Sequence, residues 1–278
     1  MYAGEIIAEG LLGATGLAWA EGTLWITAGG PGRLLRWTEA HGLAEVAGLG
    51  GAPGGVALGG DGAIYIAQSG GERTPAAIVR VSAGGTVSVL ATSVAGMTLE
   101  APADLAFGPD GRLYFTDTRG PAKPAVNTLA GRIFAYELDS GEGTLIRRLG
   151  PVCPAGIGFS GEGELYWSEV FTRRLMRVGP EGPEVAAELP EYHTPAGFCF
   201  GSDGRLYTAA RYAHCVAVIE DGYVVRRFEC SRGLVTNCCI GGTSLYVAEA
   251  EFGRLWRFDA GVTGLPLLRG HGLSARAV

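Results

Sequence analysis

The feature that most constrains this fold is a sequence repeat that occurs six times. In each copy, a short apolar run leads through a Gly-rich turn into a second run that contains Leu-Tyr or a similar pair. Asp-Gly pairs at 61–62, 110–111 and 203–204 supply the positive φ that tight hairpin turns need, so each copy predicts a β-hairpin. The copies begin at Gly16, Gly55, Asp104, Gly156, Gly197 and Asn237, at intervals of 39 to 52 residues.

A third apolar run and a weaker fourth run follow most hairpins, as in 77–81 and 87–91. Four strands in a repeat of about 40 residues are typical of a propeller blade. The sequence therefore predicts an all-β protein, a single six-bladed β-propeller domain over residues 1–278. The segment 5–12 also reads as a strand, and we expect it to complete the last blade beside 255–258 and so remove an open edge.

Composition narrows the classes of function. The chain is 47% hydrophobic and has a net charge of −6, and its arginines are scattered, so we expect no nucleic-acid partner. No run of 18 apolar residues predicts a membrane helix, and the N-terminus lacks the basic region of a signal peptide. The six cysteines show no zinc-site spacing, which favours free thiols and a cytoplasmic location.

The expected site lies where the six repeats meet. In a propeller the first strand of every blade lines the central channel, so the residues that precede these strands converge on one mouth. We call these three-residue segments the lead-ins; they are 14–16, 53–55, 102–104, 154–156, 195–197 and 235–237. The second strands return to the same face and end at Gln68, Asp117, Glu169 and Glu249.

Three segments carry a likeness to a known family. The sixth repeat, Thr236-Asn237-Cys238-Cys239-Ile240-Gly241-Gly242, resembles the TxCCFGG stretch of the senescence marker protein (regucalcin) and gluconolactonase family. PAGFCFGSDGRLYTA from Pro195 and PADLAFGPDGRLYFTD from Pro102 resemble two further motifs of that family. The resemblance implies a divalent metal at the channel mouth that polarises a lactone carbonyl and activates water.

The sequence departs from the family at the positions that this resemblance assigns to the metal. Thr15 stands in place of a glutamate, Ala155 of an asparagine and Ala196 of an aspartate, and Ala103 replaces an asparagine that contacts substrate. An alanine methyl group cannot coordinate a hard cation, which needs several oxygen ligands. We therefore expect no metal and no cofactor, and a wider, more apolar channel floor.

Two polar residues near the mouth are the candidates for catalysis. Asp104 is predicted to act as a general base or a hydrogen-bond acceptor for substrate, the alternative being an aspartate that binds its own turn. His193, two residues before Pro195, is predicted to act as a base or to bind ligand, the alternative being an exposed loop histidine. A nucleophilic pair of Cys153 and His193 is a further alternative.

Other side chains are expected around the ligand. Those from the lead-ins are Thr15, Ala103, Ala155, Ala196 and Asn237. The alternative for Asn237 is that it ties down its own lead-in. Arg211 is placed to bind a carbonyl or carboxylate group, with an exposed loop as the alternative, and Glu169 is expected to contact substrate. Asp117, Glu169 and Glu249 form an acidic arc that either bonds to the loops, binds an amine, or rebuilds a metal site.

The favoured function is a diverged enzyme that acts on a small organic molecule at the channel mouth. Its chemistry would be that of a metal-independent lactone or ester hydrolase, or of a lyase or isomerase. The alternatives are a non-catalytic propeller that binds a small ligand, and strictosidine-synthase-like chemistry on an amine substrate. A fold supports many activities, so the choice depends on the groups that line the site.

Overall fold

The computed structural model describes residues 4–30, 32–71, 74–120, 123 and 125–270. Its regular structure consists of β-strands, and six four-stranded antiparallel sheets form the six blades of a propeller. The first three blades contain β2 (Ala14–Ala20), β3 (Thr23–Ala28), β4 (Arg33–Thr38) and β5 (Gly42–Gly48); β6 (Pro53–Leu58), β7 (Ile64–Gln68), β8 (Ala77–Val81) and β9 (Val87–Ala91); and β12 (Pro102–Phe107), β13 (Leu113–Asp117), β14 (Arg132–Tyr136) and β15 (Gly143–Arg148). A two-stranded hairpin, β10 (Ser93–Val94) and β11 (Met97–Thr98), joins blades 2 and 3.

The last three blades follow the same order, except that the sixth takes its outer strand from the N-terminus. They contain β16 (Pro154–Phe159), β17 (Leu165–Glu169), β18 (Arg174–Gly179) and β19 (Gly182–Glu188); β20 (Pro195–Phe200), β21 (Leu206–Ala210), β22 (Cys215–Glu220) and β23 (Tyr223–Glu229); and β24 (Val235–Gly241), β25 (Ser244–Glu249), β26 (Arg254–Asp259) and β1 (Glu5–Ala8). β1 pairs antiparallel with β26. The predicted fold and this closing strand are confirmed, although the strand ends at Ala8 rather than Leu12.

The blades pack around a channel lined by their first strands. Each first strand contacts the first strand of the next blade, and contacts between β2 and β24 close the ring. Apolar side chains fill the space between neighbouring blades: Tyr207 and Phe228 of blade 5, for example, lie in one buried cluster with Val247 and Phe258 of blade 6. Burial of this apolar surface between sheets is the main force that holds the ring together.

The C-terminal segment 260–270 crosses the end of the channel that is remote from the lead-ins. The Ser202 amide of blade 5 donates to the Thr263 carbonyl, and the Gly60 amide of blade 2 donates to the Arg269 carbonyl, both at 2.7 Å. Because blades 2 and 5 lie on opposite sides of a six-membered ring, a chain that joins them passes over the axis. The channel is therefore open to ligands from the lead-in end.

Leu265 should contribute most to anchoring this segment. Its side chain packs against the cluster of Tyr166, Phe200 and Ile219, whereas the Leu268 side chain is exposed. We expect Leu265→Ala to lower the free energy of unfolding by about 1–2 kcal/mol, because Leu265 is only partly buried. Leu268→Ala should change it by less than about 0.5 kcal/mol. Urea denaturation measures both, and equal effects would contradict this anchoring role.

Candidate functional site

A β-bulge at the start of each blade brings the lead-in side chains to the channel. In blade 3, Pro102 pairs with Asp117 and the next pair is Leu105 with Phe115, so β12 has one more residue than β13 over this stretch. The same kind of shift occurs between the first two strands of every blade. A bulge releases residues from the regular ladder and turns their side chains. The second lead-in residue of every blade, and the third in blades 2 to 5, is therefore free to face the axis.

These residues surround a cavity of about 510 Å³ at the lead-in end of the channel. Most predicted site residues line it: Thr15, Ala103, Asp104, Ala155, Ala196, Arg211 and Asn237. Three of these residues are alanines, which present methyl groups to the cavity. His193 and Glu169 are not among the lining residues.

Asp104 reaches from blade 3 to both of its neighbours. One carboxylate oxygen accepts a hydrogen bond from the Leu105 amide at 2.9 Å, and the other accepts from the Ile157 amide of blade 4 at 3.3 Å. The carboxylate lies directly against Gly55 of blade 2, where a Cβ atom would be 1.6 Å from Oδ1. Only glycine at position 55 leaves room for this carboxylate.

Among the described residues, no cationic side chain pairs with the Asp104 carboxylate. Removal from water raises its pKa from 3.8 to about 7, and the two amide hydrogen bonds lower the pKa only in part. Near neutral pH the group therefore exists both with and without its proton. A carboxyl group in that state can accept and return a proton, which is the property of a general acid–base residue.

Asn237 occupies the position in blade 6 that Asp104 occupies in blade 3. Its Oδ1 accepts from the Cys238 amide at 2.8 Å, and its Nδ2 donates to the Thr15 carbonyl of blade 1 at 3.0 Å. Its side chain lies against Gly197 as that of Asp104 lies against Gly55. The amide has two N–H groups, and among the described residues only one of them has a partner.

The acidic arc lies outside the cavity and bonds to its own loops. Asp117 pairs with Arg132 and accepts from the Ala101 amide at 2.8 Å. Glu249 accepts from the Leu234 and Glu251 amides. Glu169 accepts from Trp167 Nε1 at 3.2 Å and from Thr172 Oγ1 at 2.8 Å. Hydrogen bonding to their own loops thus accounts for the contacts of these carboxylates, and Glu169 is not among the residues that line the cavity.

Side-chain alternation explains why the arc does not reach the cavity. Successive residues of a strand point to opposite faces. The last residue of each second strand and the residue that follows it therefore point in opposite directions. Ser69, Thr118, Val170 and Arg211, which directly follow β7, β13, β17 and β21, line the cavity. Ser69 and Thr118 are functional candidates that the sequence analysis missed, and a shift of one residue along each strand would have identified them. Glu100, in the loop before blade 3, is a further missed lining residue.

Cys153 and His193 do not form a pair. No hydrogen bond joins them within the part of the chain that the structure describes; His193 is half-buried and its Nδ1 lies 3.0 Å from the Glu191 carbonyl oxygen. Cys153 lines the cavity, but burial raises the pKa of its thiol to about 11. A protonated thiol is a poor nucleophile. All six cysteines are free thiols, as the sequence predicted.

The profile of the SMP-30/gluconolactonase/LRE-like region matches residues 13–251. The chain belongs to this family. Among solved structures it is similar to a gluconolactonase from Xanthomonas campestris, at 22% identity over 92% of this chain and 89% of that one, with a TM-score of 0.77. It is also similar to a calcium-binding regucalcin from Agrobacterium tumefaciens, at 19% identity over 100% and 98%, with a TM-score of 0.76. A luciferin-regenerating enzyme has 14% identity over 99% and 100%, with a TM-score of 0.81.

No curated protein matches the chain significantly. Within the described ranges, no group of three or more His, Cys, Asp or Glu side chains is arranged to hold a metal ion. The same residues include no helix with the length and apolar character that crossing a bilayer requires.

Asp104 should make stability depend on pH in a recognisable direction. Its pKa is higher in the folded state, about 7, than its ordinary value of 3.8, so folding favours its protonated form. Between about pH 4 and 7 the unfolded state binds fewer protons, and the contribution of this group to stability falls as pH rises. In Asp104→Asn this decline should be absent. Urea denaturation at pH 5 and pH 8 measures it, with the exposed Glu142→Gln as control; identical pH profiles for wild type and Asp104→Asn would contradict the assignment.

Proposed function

We propose that this family member hydrolyses a lactone or ester of a small organic molecule in the lead-in cavity, without a metal ion, using Asp104 as its acid–base residue. The observation that carries the proposal is the Asp104 carboxyl group, which lies at the wall of a largely apolar cavity and has a pKa of about 7. Carboxyl groups shifted in this way are common at catalytic sites. The likeness to a solved gluconolactonase structure supports this reaction class.

The residues at the expected metal positions do not fit a metal ion. Ala155 and Ala196 present methyl groups to the cavity, and Thr15 Oγ1 donates a hydrogen bond of 2.6 Å to the Pro53 carbonyl. Calcium takes six to eight oxygen ligands and zinc usually takes three or four protein ligands. The described lining carboxylates are Asp104 and Glu100, and Glu100 pairs with Arg119 and Arg132. They supply fewer ligands than either ion needs, so the proposed reaction involves no metal.

The chemistry follows from the protonation state of Asp104. Ionised Asp104 removes a proton from a water molecule while the water oxygen forms a bond to the carbonyl carbon, and the carbonyl electron pair moves onto its oxygen. When the bond to the leaving alkoxide breaks, Asp104 returns the proton to that alkoxide, which gives an acid and an alcohol. The second N–H of Asn237, on the opposite blade, is the candidate donor to the carbonyl oxygen as charge develops there.

Charge within the cavity disfavours the amine-substrate alternative. An ammonium group would need the acidic arc, but Asp117, Glu169 and Glu249 do not line the cavity and their oxygens are already bonded. Glu100 lines the cavity, but its Oε1 accepts from Arg119 at 2.7 Å and lies 3.6 Å from Arg132. The remaining carboxylate, Asp104, is partly protonated at neutral pH.

Hydrolysis should depend on Asp104 and on its ionisation. With a panel of aryl esters and γ- and δ-lactones, we expect kcat to rise with pH and to level off above about pH 7, where Asp104 is ionised. The other titratable lining groups are Glu100, Cys153 and Arg211. Asp104→Asn should lower kcat by roughly 10²–10⁴ and remove this rise, while Glu142→Gln should leave both unchanged. If turnover persists in Asp104→Asn, the acid–base residue is elsewhere.

Activity should also survive removal of metal ions. We expect dialysis against EDTA to leave the rate and the melting temperature unchanged, because no bound ion stabilises the fold by mass action. The protein should likewise gain no activity from added Ca²⁺ or Zn²⁺. Loss of turnover in EDTA that either ion restores would refute metal independence.

A further inference from the structure

Arg211 is held in the cavity wall by its own backbone. It directly follows β21, and its amide donates to the carbonyl of Thr194, next to the lead-in of blade 5, at 2.9 Å. The side chain faces the cavity on the side of blade 4, where it is close enough to Cys153 to lower the thiol pKa slightly. A cation on a β-sheet scaffold is thus fixed beside the ligand space.

The Arg211 guanidinium group has no partner among the described residues. It forms no ion pair and no hydrogen bond there, and its Nε is buried without an acceptor. Several other arginines have carboxylate partners: Arg80 pairs with Asp61 at 2.8 Å and Arg132 with Asp117. A cation that is partly removed from water without a counter-ion is unfavourable unless a ligand supplies the anion.

None of the described residues that line the cavity forms an ion pair with this charge. Cys153 is a neutral thiol, because burial raises its pKa to about 11. Glu100 pairs with Arg119 and Arg132. Arg211 is also absent from the interactions that shift the pKa of Asp104, so it does not act as the counter-ion of that carboxylate. At neutral pH the cavity therefore has a positive pole at blade 5.

We propose that Arg211 binds a carboxylate group of the substrate, so that the physiological substrate is an anionic lactone or ester. This inference rests on the proposed hydrolysis, because it assigns the substrate class of the same cavity. The planar guanidinium group offers parallel N–H donors that match the two oxygens of a carboxylate. Binding the carboxylate at blade 5 would hold the substrate by a group that does not react, and leave its carbonyl between Asp104 and Asn237.

The test measures binding without turnover. The probes are small carboxylates, each compared with its amide and amine analogue: 4-hydroxyphenylacetate, 4-hydroxyphenylacetamide and tyramine, and acetate, acetamide and ethylamine. By titration calorimetry we expect the carboxylate of each series to bind the wild type at least about tenfold more tightly than the amide, as charge-assisted hydrogen bonds predict. Amines should bind most weakly.

The variants assign this preference to one side chain. Arg211→Met should abolish the tenfold preference, Arg211→Lys should retain part of it, and Arg232→Met, which removes an exposed arginine outside the cavity, should leave it intact. If no carboxylate binds more tightly than its amide, or if Arg211→Met keeps the preference, the inference is overturned. Asp104→Asn separates the two proposals, because it should lose hydrolysis and keep the carboxylate preference.

Discussion

The bulge at the start of each inner strand is the constraint on which the rest of this propeller depends. It releases lead-in carbonyl groups from the sheet, and a polar backbone group near the axis must find another partner. Side-chain hydroxyls of the preceding blade supply that partner. Thr116 donates to the Ala155 carbonyl at 2.6 Å and Ser168 to the Ala196 carbonyl at 2.8 Å. Thr236 donates to the Ala14 carbonyl at 2.6 Å and joins the last blade to the first. The hydrogen bonds that shape the cavity are therefore also bonds between blades.

The residue at the third lead-in position differs between blades. It is glycine in blades 1, 2, 4 and 5, where the next blade approaches closely, and it is Asp104 or Asn237 in blades 3 and 6. Both polar side chains accept a hydrogen bond from the amide of the residue that follows them. Each also forms a hydrogen bond with the backbone of the next blade. Their contacts differ in one respect. Asn237 donates to a carbonyl, which requires an amide, whereas Asp104 meets a second amide N–H, which requires an acceptor. The acidic group is thus built into the ring, and no described side chain is its counter-ion.

Much of this arrangement could be predicted from sequence, because the repeat fixes it. The periodic hairpins predict the number of blades, and the lead-in residues Ala103, Ala155 and Ala196 line the cavity because the start of every inner strand must face the axis. At the ends of the second strands, the residues that line the cavity come one position after those that the sequence pattern suggests. Asp117 and Glu169 look like site residues in the sequence, but side-chain alternation turns them to their own loops and brings Thr118 and Val170 to the cavity. The path of residues 260–270 depends on contacts with distant blades and carries no repeat, so no local pattern could reveal it.

The electrostatics of the cavity favour a ligand with two distinct polar ends. The partly ionised carboxyl group of Asp104 and the guanidinium group of Arg211 line the same largely apolar cavity. Among the described residues they do not pair with each other. Had they paired, the Arg211 charge would have held the pKa of Asp104 low, and the carboxyl group would have had no proton to exchange near neutral pH. Their separation across blades 3 and 5 preserves both properties. An apolar wall between them strengthens each polar contact with a ligand, because little water competes there.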